Sequence, residues 1–96
     1  MNGSDTITIP QRFDYSVSAD FHAAIASLLD AIASSGKPIK LDCAKMDYID
    51  SAGIGLLVMA YKKAQKLGIK IILINVKAST KEILFLANVQ KLIEIQ

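Results

Sequence analysis

Residues 39–74 read IKLDCAKMDYIDSAGIGLLVMAYKKAQKLGIKIILI, and this stretch decides the fold. Residues 39–43 alternate apolar and polar side chains, which is typical of a strand. An apolar run from about Ala52 to Leu67, stopped by Gly68, predicts a helix. Residues 69–74 are rich in isoleucine and predict a second strand, covered on both faces. Two strands joined through a helix of this length imply a crossover connection and parallel pairing.

The flanking segments repeat the same alternation of strand and helix. Residues 6–9 alternate at period two, and the apolar residues from Val17 to Ile32 fall on one helical face, with Ser16 or Ser18 as the N-cap. Gly36 and Pro38 end that helix. Residues 79–82 (STKE) predict a capping box before a third helix, and residues 91–95 predict a last strand.

The resulting order is β-α-β-α-β-α-β, and no repeat or linker interrupts it. We therefore expect one domain over residues 1–96, of the α/β class. Its sheet should have four strands, mostly parallel or mixed, with three helices packed mainly on one face. A chain of 96 residues supports one hydrophobic core, and 52% apolar residues exclude a disordered chain.

Charge and cysteine content limit the classes of partner and cofactor. A net charge of +2 is too small to indicate nucleic-acid binding, and one cysteine with one histidine excludes a Cys/His zinc site. We expect no metal, no cofactor and no disulfide. Residues 1–55 carry −3 and residues 56–96 carry +5, which fits either solvated helix faces or an electrostatic docking face. With neither a signal core nor a membrane span, the protein is expected in the cytoplasm.

Most of the common catalytic motifs are absent from this sequence. There is no G-x-S-x-G, H-E-x-x-H or phosphate-loop motif, and the S-x-x-K match at residues 34–37 lies where a helix ends. Gly53 and Gly55 open a helix but lack the remainder of a dinucleotide fingerprint. His22 is expected to be a surface or partly packed residue, and Cys43 a small core residue. We therefore expect no enzymatic activity.

Residues 48–57 (YIDSAGIGLL) are the strongest functional candidate, because an Asp and a Ser stand where a loop turns into a helix. One interpretation is structural: Asp50 or Ser51 caps the helix. The helix that follows has two apolar faces. Ile54, Leu57, Val58 and Tyr61 form one, which we assign to the core; the other contains Leu56, Met59 and Ala60. The second face is either a binding surface beside an accessible hydroxyl or a further packing surface.

Residues 41–57 also resemble the signature of the STAS domain, named for sulfate transporters and anti-sigma factor antagonists. The similarity is greatest to the bacterial anti-sigma factor antagonists, and it extends over most of residues 6–96. In that group D-S-x-G-[LI]-G follows a strand, and a partner anti-sigma kinase phosphorylates the serine. The resemblance implies that Ser51 is phosphorylated and that this controls partner binding. The residues expected to bind the partner are Asp50, Ser51, Ala52, Gly53, Ile54, Gly55, Leu56 and Met59.

Several departures and alternatives accompany this resemblance. Ala52 stands where many members have a second serine. Asn88 stands near the position after the third helix where the family often has glycine, and Asn tolerates the left-handed conformation. From the resemblance we expect the family's usual N-terminal strand and C-terminal helix to be missing from this sequence. The implied partners are an anti-sigma factor kinase and a phosphatase, without nucleic acid or membrane insertion, and we expect a monomer. The alternative is a STAS subunit of a lipid-transport ABC complex or of a sensory complex.

Overall fold

The computed structural model describes residues 5–96 and contains six strands and three α-helices. In chain order they are β1 (Thr6–Thr8), β2 (Arg12–Phe13), α1 (Ser18–Ile32), β3 (Ile39–Asp42), β4 (Tyr48–Ile49), α2 (Ser51–Lys66), β5 (Ile71–Ile74), α3 (Ala78–Leu86) and β6 (Glu94–Ile95). Short 3-10 turns precede α1 at Tyr15–Val17 and follow α3 at Val89–Lys91. None of the helices in residues 5–96 has the length and apolar character needed to cross a membrane.

The main sheet has four strands in the order β1-β3-β5-β6, and every neighbouring pair is parallel. Each strand therefore lies beside the preceding strand of this sheet. Right-handed crossovers between strands laid down in this order carry all the connecting helices to one face. The predicted α/β fold, with four strands and three helices mainly on one face, is confirmed, and the sheet is parallel rather than mixed.

The hydrophobic core lies between this sheet and the helices. On the face of the sheet that packs against the helices, the buried residues are Ile39, Leu41, Ile71 and Leu73. The intervening residues of the same strands, Ile72 among them, are only half-buried because they point to the other face of the sheet. The expectation that residues 69–74 form a strand covered on both faces is therefore wrong. The strand itself is also shorter, since Ile69 and Lys70 precede it.

A second, two-stranded sheet was not expected from the sequence. Arg12 pairs with Tyr48 and Phe13 with Ile49, in parallel register. Phe13 and Ile49 are buried, while Arg12 and Tyr48 point outward and are exposed. Backbone bonds from Asp47 and Tyr48 to the Gln11 carbonyl extend the contact between the two segments. The small sheet thus joins the segment before α1 to the loop that leads into α2.

The helix ends differ in part from those expected. Neither Ser16 nor Ser18 caps α1; the Asp14 side chain instead caps the preceding 3-10 turn. The capping box at residues 79–82 is also wrong, because α3 begins at Ala78, and no side chain caps it. Its Thr80 hydroxyl donates to the Lys77 carbonyl at 3.1 Å. The last strand covers Glu94–Ile95 only, because residues 89–91 form a 3-10 turn.

Of the four left-handed positions in residues 5–96, three agree with the sequence analysis; the fourth, Asn75 with a φ of 57°, was not expected. Gly36 and Gly68, the two predicted helix terminators, have φ values of +76° and +70°. Asn88, at the turn after α3, has a φ of 61°, so the asparagine does adopt the conformation that a glycine would provide. These three turns direct the chain from each helix back to the next strand of the main sheet.

Candidate functional site

The N-terminus of α2 is capped by Asp50. Its backbone is extended, and its Oδ1 accepts a hydrogen bond of 3.0 Å from the Gly53 N–H. The Asp50 carbonyl also accepts from the Ile54 N–H at 2.9 Å. Of the two cap candidates, the structure therefore assigns the role to Asp50. An acidic cap is favourable here because the unpaired N–H groups of the first turn carry partial positive charge.

Ser51 is the first residue of α2, and its side chain is exposed. Since Asp50 supplies the cap, Ser51 has no capping role, and its Oγ forms no hydrogen bond to another group in residues 5–96. The loop from Met46 to Ile49 does not cover it, since Ser51 is exposed. The hydroxyl is thus free to contact a partner or to be modified.

Gly53 allows α2 to lie close against the small sheet. A Cβ at this position would stand 2.3 Å from the Phe13 carbonyl oxygen and 2.8 Å from Ile49 Cγ1. Both distances are below any ordinary van der Waals contact, and one of the two atoms is backbone. At Gly55 a Cβ would meet no atom of residues 5–96 within 4 Å. Of the two glycines in the motif, only Gly53 is required by packing.

Next to this helix start, the outward residues of the small sheet form a polar cluster. The Arg12 guanidinium carbon lies 4.1 Å from the centre of the Tyr48 ring, a cation–π contact, and Arg12 Nε donates to Asp14 Oδ2 at 2.8 Å. Asp14 Oδ1 also accepts from the Ser16 N–H at 2.9 Å and from Ser16 Oγ. The bonds from Ser16, and then Arg12, hold the pKa of Asp14 below its usual range.

The sequence analysis did not identify this cluster. Two-residue strands are too short to show a period, so Arg12 and Tyr48 gave no strand signal. A local signal did exist for Asp14. An Asp two residues before a Ser is typical of a turn in which the carboxylate accepts from the later backbone N–H, as it does here from Ser16. That pattern predicts the turn but not its place beside α2.

The apolar surface expected on α2 is smaller than proposed from the sequence. Leu56 is only 7% exposed and Ala60 is fully buried, so the expectation that Leu56 contributes to a surface is wrong. Met59 is half-buried. The buried residues follow the spacing i, i+3, i+4, i+7, i+11 of a single helical stripe. They are Gly53, Leu56, Leu57, Ala60 and Ala64.

The buried face of α2 is offset by about one residue from the core face that we assigned from the sequence. Leu57 is buried as expected, but Ile54, Val58 and Tyr61 are half-buried. The small residues explain the error, because a stripe that begins at Gly53 and continues through alanines carries little hydrophobicity. Among the other expected partner-binding residues, Gly55 is exposed, Ala52 is half-buried and Gly53 lies beneath the Phe13 backbone.

The other chemically active side chains are placed as structural residues. Cys43 is fully buried, and burial together with the Asp42 charge raises the pKa of its thiol to about 12. Ser35 Oγ donates to the Ile32 carbonyl at 2.9 Å and accepts from the Lys37 N–H, so it terminates α1. His22 is half-buried, as expected. Within residues 5–96, no group of His, Cys, Asp and Glu side chains could hold a metal ion.

Comparison with known proteins relates this arrangement to one family. The sequence model of the family described as STAS domain matches residues 4–96. A crystal structure from Thermotoga maritima, of a protein assigned as an anti-sigma factor antagonist, superposes with a TM-score of 0.74. The match is 20% identical and covers 95% of this chain and 78% of the other. An NMR structure of TM1081 superposes with a TM-score of 0.72 at 18% identity, covering 95% and 71%.

Proposed function

The chain belongs to the STAS domain family, and we propose on that premise that it is a non-enzymatic anti-sigma factor antagonist. It binds an anti-sigma factor with serine kinase activity while Ser51 is unmodified, and it releases that partner when Ser51 is phosphorylated. A phosphatase restores the binding form. One observation carries the proposal: Ser51 is exposed at the first turn of α2, while the neighbouring Asp50 provides the cap.

A phosphate on Ser51 is compatible with the fold. The free N–H groups at a helix N-terminus and the helix dipole favour negative charge there. The hydroxyl forms no hydrogen bond within the described part of the chain, so the modification breaks none there. Phosphorylation should therefore leave the domain folded, and its effect should appear in partner binding.

The effect on a partner follows from charge and hydration. Phosphorylation adds a charge of roughly −1.5 to −2 beside the Asp50 carboxylate. A partner that contacts Ser51 and the exposed backbone at Gly55 would have to dehydrate this phosphate or place negative charge against it. Because Leu56 is buried, the apolar part of this surface is limited to half-buried residues such as Met59. Charge at Ser51 therefore dominates the switch.

The test is recovery of partners by tagged protein expressed in the source organism. Wild type and the Ser51→Ala variant should recover the same protein with serine kinase activity, and Ser51→Asp should not. Ser34→Asp is the matched control, because Ser34 is exposed at the other end of the fold and gains the same charge. Mass spectrometry should find phosphate on Ser51 of the wild type. Equal recovery by all variants, or a transporter ATPase as the main partner, would refute the proposal.

A further inference from the structure

A shallow apolar groove runs between the C-terminal halves of α1 and α2. Its volume is about 670 Å³, and its floor is formed by Ala26 and Leu29 of α1, by Ala33 just after α1, and by Leu67 just after α2. Leu67 is 53% exposed, so part of the apolar lining is open to solvent. From Ala26 to Ala33 the floor extends over eight residues, about 10 Å or two helical turns.

The two walls of this groove carry opposite charges. Lys63 and Lys66 line the side of α2, and Asp30 lines the side of α1. All three are exposed. Within residues 5–96 the ion pairs are Arg12 with Asp14 and Lys70 with Glu94, so no salt bridge occupies the charged groups of the groove. Its charges are therefore available to a bound molecule.

The groove lies far from the candidate phosphorylation site. Ser51 begins α2, and Lys63 follows it by twelve residues, which places them about 18 Å apart along the helix axis. The helix α2 runs antiparallel to the strands. Ser51 therefore lies near the C-terminal ends of the strands, and the groove lies toward their N-terminal ends. A molecule in the groove would not cover Ser51.

We propose that this groove binds an amphipathic helical segment of a partner protein. The apolar stripe of the segment lies on the floor, and its acidic residues face Lys63 and Lys66. A two-turn floor between two charged walls fits the helix-in-groove mode, in which residues at i, i+3, i+4 and i+7 provide the anchors. An anionic membrane fits less well, because Asp30 on one wall would face the anionic headgroups.

Two synthetic peptides test the proposal with the full chain labelled with ¹⁵N. Both have 14 residues and leucines at helical spacing; one carries glutamates on the side of the leucine stripe that faces Lys63 and Lys66, and the other carries lysines at the same positions. The glutamate peptide should shift the amide signals of Ala26, Ala33 and Leu67 and leave that of Ser51 unchanged. The lysine peptide should bind at least about threefold more weakly, since two surface ion pairs are lost.

Charge reversal provides the matched test. The double variant Lys63→Glu/Lys66→Glu should weaken binding of the glutamate peptide about tenfold and favour the lysine peptide. The control Lys77→Glu/Lys91→Glu changes the net charge equally at two exposed lysines outside the groove and should leave affinity unchanged. Circular dichroism checks that each variant is folded.

Three outcomes would overturn the proposal. The first is no signal shift with the glutamate peptide at millimolar concentration. The second is equal loss of binding in the control variant, which would indicate a bulk charge effect. The third is binding of phosphatidylglycerol vesicles through Lys63 and Lys66 without peptide binding, which would make the surface a lipid site. None of these outcomes depends on whether Ser51 is phosphorylated.

Discussion

Asp50 and Ser51 are adjacent, yet only Asp50 caps the helix. The Asp50 carboxylate accepts a hydrogen bond from the Gly53 N–H, and the exposed Ser51 hydroxyl bonds to no group in residues 5–96. The sequence alone left the cap open between them, because both residue types cap helices well. The difference matters for function, since a residue that does not support the helix can be modified without unfolding it.

Substitutions at Asp50 should separate the cap from its charge. Asp50→Ala should lower the free energy of unfolding by about 1 kcal/mol, because the Gly53 N–H loses its acceptor. Asp50→Asn retains an acceptor oxygen and should lose much less, as chemical denaturation would measure. In the presence of the partner kinase, however, Asp50→Asn should reduce Ser51 phosphorylation or binding. If Asp50→Asn leaves both unchanged, Asp50 serves only as a cap.

The two glycines of the motif should respond oppositely to alanine. Gly53→Ala should destabilise the protein by about 1 to 3 kcal/mol, because its methyl would overlap the Phe13 carbonyl. Gly55→Ala, in the same helix but facing open space, should be neutral or stabilise by up to about 1 kcal/mol. Thermal unfolding of the two variants measures both effects. A stabilised Gly53→Ala variant would contradict the close packing of α2 against β2.

At the scale of elements, periodicity predicted the long segments and missed the short ones. The three helices and the strands of the main sheet each had a recognisable pattern, and their existence and order are confirmed. The two-residue strands β2 and β4 have no period, and their pairing depends on contacts between residues 36 positions apart. On α2 the expected faces were rotated because Gly53 and the alanines contribute packing without hydrophobicity. The position of Ser51 on α2 was predictable; the polar cluster beside it was not.

The turn between β2 and α1 should show its structure in a titration. Bonds from Ser16 hold the pKa of Asp14 below its usual range, so the ionised carboxylate stabilises the fold above about pH 4. That contribution is lost as the pH falls through the lowered pKa. Ser16→Ala should raise the pKa of Asp14 toward its ordinary value, as carbon-detected NMR would measure. Ser18→Ala, which removes a nearby hydroxyl that Asp14 does not contact, should leave it unchanged.

At the scale of the molecule, three helices on one face of a parallel sheet place two surfaces at opposite ends of α2. Ser51 and the Asp14 cluster lie where the strands end, and the groove with Lys63 and Lys66 lies near where they begin. The negative net charge of residues 1–55 and the positive net charge of residues 56–96 thus correspond in part to these two surfaces. Asp14 and Asp50 lie near the first, and Lys63 and Lys66 line the second. Two partners could occupy these surfaces together.

Cys43 should report on the integrity of the whole core. The thiol is buried and its pKa is raised to about 12, so at pH 8 about one molecule in ten thousand carries the reactive thiolate. Iodoacetamide should therefore alkylate Cys43 slowly in the native protein and rapidly in denaturant, as intact-mass measurement would show. Rapid alkylation in native buffer would contradict the placement of Cys43 in the core.

The most direct test of the account measures partner affinity and thermal stability on the same Ser51 variants. With the recovered kinase partner, Ser51→Ala should bind as wild type does, and Ser51→Asp should bind at least about tenfold more weakly, a difference of about 1.4 kcal/mol. The melting temperature of Ser51→Asp should stay within about 4 °C of wild type, because the charge lies at a helix N-terminus. A Ser51→Asp variant that binds as tightly as Ser51→Ala, or that melts many degrees lower, would contradict a switch acting at the interface.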